Sequence, residues 1–349
     1  MSTRSLIETF QTWSTQCDAL VLITVVETKG STYSKAGRQL LMRADGSHAG
    51  LVSGGCLEGD LANHAQQVMT SGEPALITYD MRDDADDLWG IGLGCNGLMR
   101  LLLQRIDTQH NWQPFANIAK SLADPAPHAI TLVTSSTLPD LPTGSCSIDG
   151  ITDKDLLHWP VKAKTVPHTL PQITHHTLPD GKLSVLHWQT QPWVRLLVLG
   201  AAPDALPVVG LARELGWVVV IGDHREGYLQ TNNFNAADEV LTINPDNLST
   251  QITLNDFNAI IVMSHHLETD RKYLKLLSNC NATYIGLLGP AARKHKLLND
   301  LDTEGGGLDK RLHGPVGLDI GADSPETIAL ALISEIQSVI SKHTGQVAN

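Results

Sequence analysis

The chain is short of the features that several common classes of protein require. Its 349 residues carry 25 Lys and Arg against 37 Asp and Glu, a formal net charge of −12, so no basic surface for nucleic acid or an anionic membrane is expected. No apolar run approaches the roughly 18 residues that cross a bilayer, and the first residues lack the apolar core of a secretion signal. We therefore expect a soluble, cytoplasmic protein whose partners are small molecules or other proteins, with no nucleic acid and no membrane.

Cysteine is also scarce, and its spacing excludes two common uses. The five cysteines are Cys17, Cys56, Cys95, Cys146 and Cys280, and no two of them form a Cys-x-x-Cys pair. An odd, scattered set argues against a disulfide framework and against a structural zinc site. The pattern is typical of a protein from a reducing compartment.

Two of these cysteines lie between glycines. Cys56 stands in the segment SGGCLEG at 53–59, and Cys95 stands in GLGCNG at 92–97. Glycine permits tight turns with positive φ and removes side chains that would otherwise screen the sulfur, so we expect both thiols to be presented. The alternative for each is a small residue buried at a turn.

Cys56 ranks above Cys95 because a helix is predicted to follow it. Apolar residues at 57, 61, 65, 68 and 69 have helical spacing on one face, which predicts a helix over 57–69. At a helix N-terminus, the macrodipole and the free N–H groups favour a thiolate, which is a soft metal ligand and a nucleophile. Cys56 is therefore the first candidate for a functional thiol.

The first part of the chain is predicted to be a mixed α/β domain over residues 1–190. Apolar patterning predicts strands over 20–26, 38–43, 48–52, 75–79 and 98–106. Asp45 and Gly46 predict a hairpin with a type I′ turn. From about 107 to 190, prolines interrupt the pattern, and we expect an irregular connecting region that holds a helix over 111–122 and strands over 130–134 and 183–188.

Strands and helices alternate in the second part, which we place over residues 191–345. Buried strands are predicted over 194–199, 217–221, 259–263 and 283–288, with a helix over 204–215. Ser324, Pro325 and Glu326 predict the start of a last helix. Such alternation is typical of a Rossmann-like, doubly wound parallel sheet, so the fold class is α/β.

A segment similar to a dinucleotide-binding fingerprint follows the first of these strands, but three of its residues depart from the pattern. Gly200 begins the segment GAAPDA, and Asp223 ends the next strand, where it would hold a ribose hydroxyl pair. Ala202, however, replaces the glycine that lets a pyrophosphate approach, Pro203 has no N–H, and Asp204 adds a negative charge. NAD(P) binding is therefore disfavoured against a structural domain or one adapted to another nucleotide-like ligand.

Three later loops carry further candidate side chains. His265 and Asp270 lie after a strand, where doubly wound sheets bind ligands, and they are candidates for contact with a cofactor or metal. Gly289 belongs to a strand-to-helix turn near the cationic Arg293, and Asp319 lies in a glycine-rich loop before the last helix. The alternative for each is a solvated surface loop or helix face.

Together, these segments resemble the XdhC/CoxI family of accessory proteins for xanthine dehydrogenase and related molybdenum hydroxylases, over nearly the whole chain. In the first domain, the resemblance rests on ETKGST at 27–32, AG at 36–37, SGGCLE at 53–58 and the turn at Cys95. In the second, it rests on DHR at 223–225, the His265 loop, YIGLLG at 284–289 and PVGLDIG at 315–321.

The resemblance implies a cofactor chaperone and not an enzyme. Such a protein binds molybdenum cofactor in a molybdopterin form, protects it while a cysteine desulfurase helps to replace an oxo ligand with sulfide, and delivers it to the apo-enzyme of a molybdenum hydroxylase. A homodimer is also implied. Soft thiolates suit molybdenum–sulfur chemistry, and a Rossmann-like domain would cradle a phosphorylated pterin.

No catalytic residue is assigned, and the candidate thiols for molybdenum or sulfur transfer are Cys56 and Cys95. The candidate cofactor-binding residues are Gly54, Gly55, Cys56, Glu58, Cys95, Gly200, Ala202, Asp223, Arg225, His265, Asp270, Gly289 and Asp319.

Two rival functions stay open from the sequence. The Rossmann pattern with Asp223 is compatible with an NAD(P)-dependent oxidoreductase, although no acid–base constellation accompanies it. A scaffold that docks a hydroxylase through protein surfaces alone would need neither thiol nor nucleotide.

Overall fold

The computed structural model describes residues 2–82, 96–151, 171–301, 308 and 311–343. The chain divides into two compact units, Met1–Pro192 and Trp193–Asn349. Below they are called the N-terminal and the C-terminal unit. Among the described helices, none is both long enough and apolar enough to cross a membrane.

The N-terminal unit begins with α1 (Thr3–Trp13) and a five-stranded antiparallel sheet in the order β3-β2-β1-β5-β4. Its strands are β1 (Ala19–Gly30), β2 (Gln39–Met42), β3 (His48–Gly50), β4 (Ala75–Asp80) and β5 (Gly97–Asp107). All five strands overlap the predicted ones. In the central pair, Gly30 is opposite Gly97, so the end of β1 lies beside the start of β5.

The helix predicted after Cys56 is present as α2 (Glu58–Ser71). Its face formed by Leu61, Ala65 and Val68 is buried against strand residues that include Val21 and Ile23. Burying a side chain the size of leucine stabilises the fold by about 1.5–3 kcal/mol, so this face anchors the helix on the sheet.

The hairpin between β2 and β3 is present, but its predicted turn type is wrong. Gly46 has φ of 82°, whereas Asp45 is not among the residues with positive φ, and a type I′ turn needs both. The N–H of Arg43 donates to the carbonyl of Ser47, which leaves a three-residue loop. Asp45 adds two local hydrogen bonds, because its carboxylate accepts from the N–H and hydroxyl of Ser47.

The described residues between 107 and 190, which leave out 152–170, are more regular than predicted. They contain α3 (Phe115–Ala123) and a four-stranded antiparallel sheet in the order β7-β6-β9-β8. The strands are β6 (Ala129–Ser136), β7 (Cys146–Ile148), β8 (Gln172–Leu178) and β9 (Gly181–Gln189). Pro139 and Pro179 lie between these strands, and Pro127 lies between α3 and β6. A missing N–H breaks no ladder at these positions, so these prolines mark loops and not an irregular region.

The C-terminal unit is the predicted doubly wound parallel sheet, in the order β12-β11-β10-β13-β14-β15. Its strands are β10 (Arg195–Leu199), β11 (Val218–Asp223), β12 (Glu239–Thr242), β13 (Ala259–Val262), β14 (Tyr284–Leu287) and β15 (Leu312–His313). Its helices are α4 (Ala205–Glu214), α5 (Glu226–Thr231), α6 (Leu248–Gln251), α7 (Leu267–Leu277), α8 (Ala291–Leu301) and α9 (Pro325–His343). The strand order reverses between β10 and β13, which makes the crevice between the loops that follow them the switch point of the sheet.

A separate apolar core covers each face of this sheet. Leu197 and Leu199 of β10 pack on the side of α7 and α8, whereas Leu196 and Val198 pack on the side of α4 and α9. Alternate residues of a strand point to opposite faces, so a strand buried on both faces is apolar throughout. This explains why the sequence predicted these strands as continuous apolar runs.

Candidate functional site

The glycine-rich loop between β3 and α2 brings Cys56 to the surface. Gly54, Gly55 and Cys56 are all exposed. Gly55 has φ of 99°, a conformation that side chains rarely adopt, and among the described residues no atom lies within 4 Å of where its Cβ would be. The prediction that this loop presents the Cys56 thiol is therefore matched by the structure.

Glu58 holds this loop from the inside. The residue is only 5% exposed, and its carboxylate accepts the N–H groups of Ser53 at 3.0 Å and Val52 at 3.4 Å, as well as the Ser53 hydroxyl. The Ser53 hydroxyl oxygen in turn accepts the N–H of Leu57 at 3.0 Å. Both carboxylate oxygens are therefore engaged within the loop, and the cofactor contact expected of Glu58 stays a prediction.

Two opposing effects act on the pKa of Glu58. Burial raises it, but the hydrogen bonds from Ser53 and Val52 favour the charged form more strongly and hold the pKa below its ordinary value. Near neutral pH, Glu58 is therefore ionised and holds the loop through hydrogen bonds to its carboxylate.

The start of α2 carries more negative charge than a good anion site allows. Cys56 precedes the N-cap residue Leu57, and the first turn contains Glu58 and Asp60. Asp60 also accepts the hydroxyl of Tyr79 at 2.6 Å. The two carboxylates interact favourably with the positive N-terminal end of the helix dipole and offset the potential that would attract another anion, so the helix end by itself does not define a site.

Cys95 lies outside the described residues, but the residue that follows it is described. The carbonyl of Asn96 accepts the N–H of Ser31 at 3.0 Å. A Cβ on Gly30 would lie 2.5 Å from that carbonyl oxygen, and a Cβ on Gly97 would lie 2.4 Å from the carbonyl oxygen of Ser31. The two backbones approach so closely that both positions require glycine.

Residues 30–34, called the 30–34 segment below, also touch the glycine-rich loop. The hydroxyl of Ser34 donates to the carbonyl of Leu51 at 3.3 Å, and the ring of Tyr33 lies beside Gly54. The 30–34 segment therefore connects Asn96 with the loop that carries Cys56.

In the C-terminal unit, Asp223 is occupied by its own neighbours. The residue is 1% exposed, and its carboxylate accepts the N–H of Ala201 at 2.8 Å and the guanidinium of Arg225 at 3.0 and 2.8 Å. Burial raises the pKa of Asp223, but Arg225 and the Ala201 N–H outweigh burial and hold the pKa below its usual range. A ribose would have to displace Arg225 to gain the contact predicted for Asp223.

A second pair closes the switch-point crevice. His265, in the loop after β13, places Nε2 2.8 Å from Oδ2 of Asp204, in the loop after β10. The two loops are packed tightly, because a Cβ on Gly200 would lie 2.3 Å from the carbonyl oxygen of Met263. Pro203 on the same loop offers no N–H, and the methyl group of Ala202 stands where a glycine is usual. The usual pyrophosphate position therefore lacks a hydrogen-bond donor and room for close approach.

Asp270 and Gly289 belong to the wall behind this crevice. Asp270 is fully buried and accepts hydrogen bonds from the Ser264 hydroxyl and from the guanidinium of Arg293. Gly289 has φ of 127°, and a Cβ there would lie 2.8 Å from Cδ of Arg293. Both residues therefore place Arg293, whereas Asp319 is exposed on its loop.

Sequence reasoning missed a cluster around Glu335 of α9. Its carboxylate accepts the hydroxyl of Tyr284 at 2.6 Å and the N–H of Gly317 at 2.8 Å, and it lies 3.0 Å from Nδ1 of His313. Burial raises the pKa of Glu335, but these three partners outweigh it and lower the pKa. Tyr284 and Gly317 stand in the motifs that carry the resemblance, whereas Glu335 sits within an apolar helix pattern without a motif of its own.

Within each unit, the structure brings several candidate residues together. The loop group contains Gly54, Gly55, Cys56 and Glu58, and the crevice group contains Gly200, Ala202, Asp223, Arg225 and His265. Within the described ranges, no three His, Cys, Asp or Glu residues come together as a metal-binding group. Cys95, the second candidate thiol, lies outside the described residues.

Comparison with known proteins identifies the class to which this fold and loop belong. Residues 13–80 match the XdhC and CoxI family, and residues 196–336 match the XdhC Rossmann domain. The chain is 32% identical over 318 residues to a probable xanthine dehydrogenase subunit of Bacillus subtilis, covering 90% of this chain and 92% of that protein. The chain belongs to the XdhC and CoxI family.

Two further relatives extend the comparison. The molybdenum cofactor insertion chaperone PaoD of Escherichia coli is 24% identical over 322 residues, covering 91% of this chain and 83% of that protein. A crystal structure of a xanthine dehydrogenase from Bacillus halodurans superposes with a TM-score of 0.76 at 28% identity, covering 98% of this chain and 96% of that chain.

Proposed function

We propose that this protein is a maturation factor for a molybdenum hydroxylase of the xanthine dehydrogenase type. It binds molybdenum cofactor as cargo, holds it while a cysteine desulfurase helps to exchange an oxo ligand, released as water, for a sulfido ligand, and delivers it to the apo-enzyme. Membership of the XdhC and CoxI family and the role of PaoD as a molybdenum cofactor insertion chaperone support this proposal. A cytoplasmic location and a homodimer are expectations of the same resemblance.

The single observation that carries the proposal is the exposed Cys56 on a loop that a buried carboxylate holds in place. A thiol intended for packing would face the core, whereas Cys56 faces solvent between an open Gly55 and the start of α2. Thiolates are soft ligands that suit molybdenum–sulfur chemistry. The fastening by Glu58 fits a loop that must receive a ligand without rearranging.

The crevice of the C-terminal unit argues against the rival oxidoreductase. Asp223 is bound to Arg225, Asp204 is paired with His265, and Pro203 offers no N–H to a phosphate. In this unit, we propose that Arg225 contacts the cofactor, because Arg225 and Tyr228 line a cavity of about 370 Å³. Asp223 positions Arg225 through its two hydrogen bonds to the guanidinium. The secondary candidates are Gly200, Ala202, His265, Asp270, Gly289 and Asp319.

The test loads the purified chain with molybdenum cofactor released from a donor molybdoenzyme and removes unbound cofactor by gel filtration. Retained molybdenum is measured by mass spectrometry, and retained pterin by the fluorescence of its oxidised form. We expect the wild type to retain both, and Cys56→Ala to lose most of them. Failure of the wild type to retain either would overturn the proposal.

Cys146→Ala is the matched control, because burial raises the pKa of the Cys146 thiol to about 12 and keeps it protonated. We expect this variant to retain cofactor like the wild type. Equal retention by Cys56→Ala would remove the thiol from the proposal while leaving cofactor binding intact. Two further measurements separate the rivals: titration with NADH, for which we expect no saturation at millimolar concentration, and activation of an apo-hydroxylase, which tests delivery.

A further inference from the structure

Tyr33 is an exposed aromatic residue beside the glycine-rich loop that no motif pointed to. It is 60% exposed, compared with 38% for Tyr228, and no other large apolar side chain in the described ranges is more exposed. Burying a tyrosine ring, or stacking it on another flat ring, lowers the free energy. The exposed ring of Tyr33 can therefore gain from a contact with a flat ligand.

The backbone around Tyr33 is held firmly, although its ring is not. Ser31 donates its N–H to Asn96 at 3.0 Å, and the hydroxyl of Thr32 donates to the carbonyl of Ser34 at 2.9 Å. Ser34 is buried, and its hydroxyl reaches Leu51. In the part of the chain that the structure describes, the Tyr33 ring has no aromatic, cationic or hydrogen-bonding partner. The 30–34 segment therefore fixes where the ring is displayed and leaves the ring itself available.

The ring borders a surface without side chains. A Cβ on Gly54 would lie 3.9 Å from Cδ2 and 4.0 Å from Cε2 of Tyr33, so the ring lies alongside the glycine backbone at van der Waals distance. Gly55 follows with open space above it, and the exposed Cys56 comes next. An aromatic ring thus lies beside the first of two exposed glycines, and the exposed Cys56 follows them in the chain.

Flat heterocycles bind surfaces of this kind. Their rings stack on aromatic side chains, and glycine lets the ring approach the backbone closely. The pyrimidinone ring of a pterin is such a heterocycle, whereas a peptide segment would gain little from a surface that lacks side chains to interlock with.

We propose that Tyr33 is the stacking partner of the pterin ring of the molybdenum cofactor, and that Gly54 and Gly55 provide the bare backbone beside it. The inference rests on the proposed function, because it names the residue that recognises the organic part of the same cargo. Cys56 is left to the molybdenum or sulfur end.

The experiment compares four variants of the full chain: Tyr33→Phe, Tyr33→Leu, Tyr33→Ala and, as a matched control at another exposed apolar position, Val240→Ala. Each is loaded with molybdenum cofactor as above, and circular dichroism is recorded both in the far ultraviolet and in the pterin absorption band. Since stacking uses the ring face and not the hydroxyl, we expect Tyr33→Phe and Val240→Ala to retain cofactor like the wild type. Tyr33→Leu and Tyr33→Ala should weaken retention about tenfold and diminish the pterin band.

The outcomes separate this inference from the proposed function. If the wild type retains cofactor and Tyr33→Leu retains it equally, with an unchanged pterin band, the stacking role is overturned while the proposed function stands. If Tyr33→Leu retains cofactor but no longer activates the apo-hydroxylase, Tyr33 touches a protein partner and the inference is overturned as well. If the wild type itself retains no cofactor, the proposed function fails first. An unchanged far-ultraviolet spectrum shows that a variant lost its ligand and not its fold.

Discussion

The carboxylate of Glu58 accepts the backbone N–H of Ser53 at 3.0 Å, which ties the first residue of α2 to the start of the loop that displays Cys56. The apolar face of the helix packs on the sheet, so the position of Glu58 is fixed. The hydrogen bond from Ser53 therefore restrains the exposed loop relative to the core. A glycine-rich segment that would otherwise be mobile is held in one conformation.

We expect Glu58→Gln to destabilise the N-terminal unit by about 2 kcal/mol, because a buried charged acceptor of several hydrogen bonds is replaced by a neutral amide. Urea denaturation measures this loss. Glu73→Gln, at an exposed position after α2, is the control and should change the free energy of unfolding by less than about 0.5 kcal/mol. Equal effects of the two variants would show that the hydrogen bonds to the Glu58 carboxylate do not contribute to stability.

The contribution of Glu58 should also depend on pH in a defined direction. Its pKa is lower in the folded protein than in the unfolded chain, so the stabilisation is present above the unfolded value of about 4.3 and is lost as the pH falls through the folded pKa. The difference in unfolding free energy between wild type and Glu58→Gln is therefore expected to shrink between pH 7 and pH 3. A difference that stays constant over this range would mean that the charge of Glu58 is not what holds the loop.

Two glycines in the same motif should respond to alanine in opposite directions. Gly55→Ala places a side chain at φ of 99° and should destabilise the fold by about 1–2 kcal/mol. Gly59→Ala lies in the first turn of α2, where no described atom is within 4 Å of the added Cβ, and it should stabilise the helix by about 0.5 kcal/mol. Chemical denaturation of both variants measures the contrast, and a stabilising Gly55→Ala would contradict the described loop conformation.

The pair of Asp223 and Arg225 should matter far more than a surface pair in the same unit. Asp223→Asn leaves the Arg225 guanidinium without its charged partner in a half-buried place and should destabilise the C-terminal unit by about 2 kcal/mol. Asp246→Asn breaks the exposed contact with Lys272 and should change stability by about 0.5 kcal/mol or less. Thermal unfolding of both variants is the measurement. A silent Asp223→Asn would show that this carboxylate is free for a ligand after all.

Local pattern predicted much of the fold. The helix after Cys56, the five strands of the first sheet and four of the six strands of the parallel sheet follow from apolar pattern, because each signal lies within a few consecutive residues. The short strands β12 and β15 were not predicted. Two of the four strands of the second antiparallel sheet were predicted, over 130–134 and 183–188, but β7 and β8 were not. Prolines such as Pro139 and Pro179 were taken as signs of irregular chain, although each stands between strands. Whether a proline breaks a strand or borders one depends on where the partner strand begins.

Some features of the candidate site could also be predicted from local sequence, whereas others depend on tertiary contacts. The exposed Cys56 and the tight glycine turns follow from residue type, whereas the inward direction of Glu58 depends on folding the chain back on Ser53. The occupation of Asp223 by Arg225 and the pairing of Asp204 with His265 were not predicted either. Each of these polar groups had several possible hydrogen-bond partners. A sequence motif identifies the polar group but not the partner that it takes in the fold.

By itself, the sequence determined the fold class, the family and the identity of the thiol on the glycine-rich loop, because apolar spacing, glycine and cysteine act through local chemistry. Only the tertiary structure decided which polar groups remain available to a ligand. It turned Glu58 and Asp223 inward and left the ring of Tyr33 exposed beside Gly54. The physical reason is that a carboxylate satisfied by buried donors is lost to a ligand, and those donors come from chain segments that only the fold brings together.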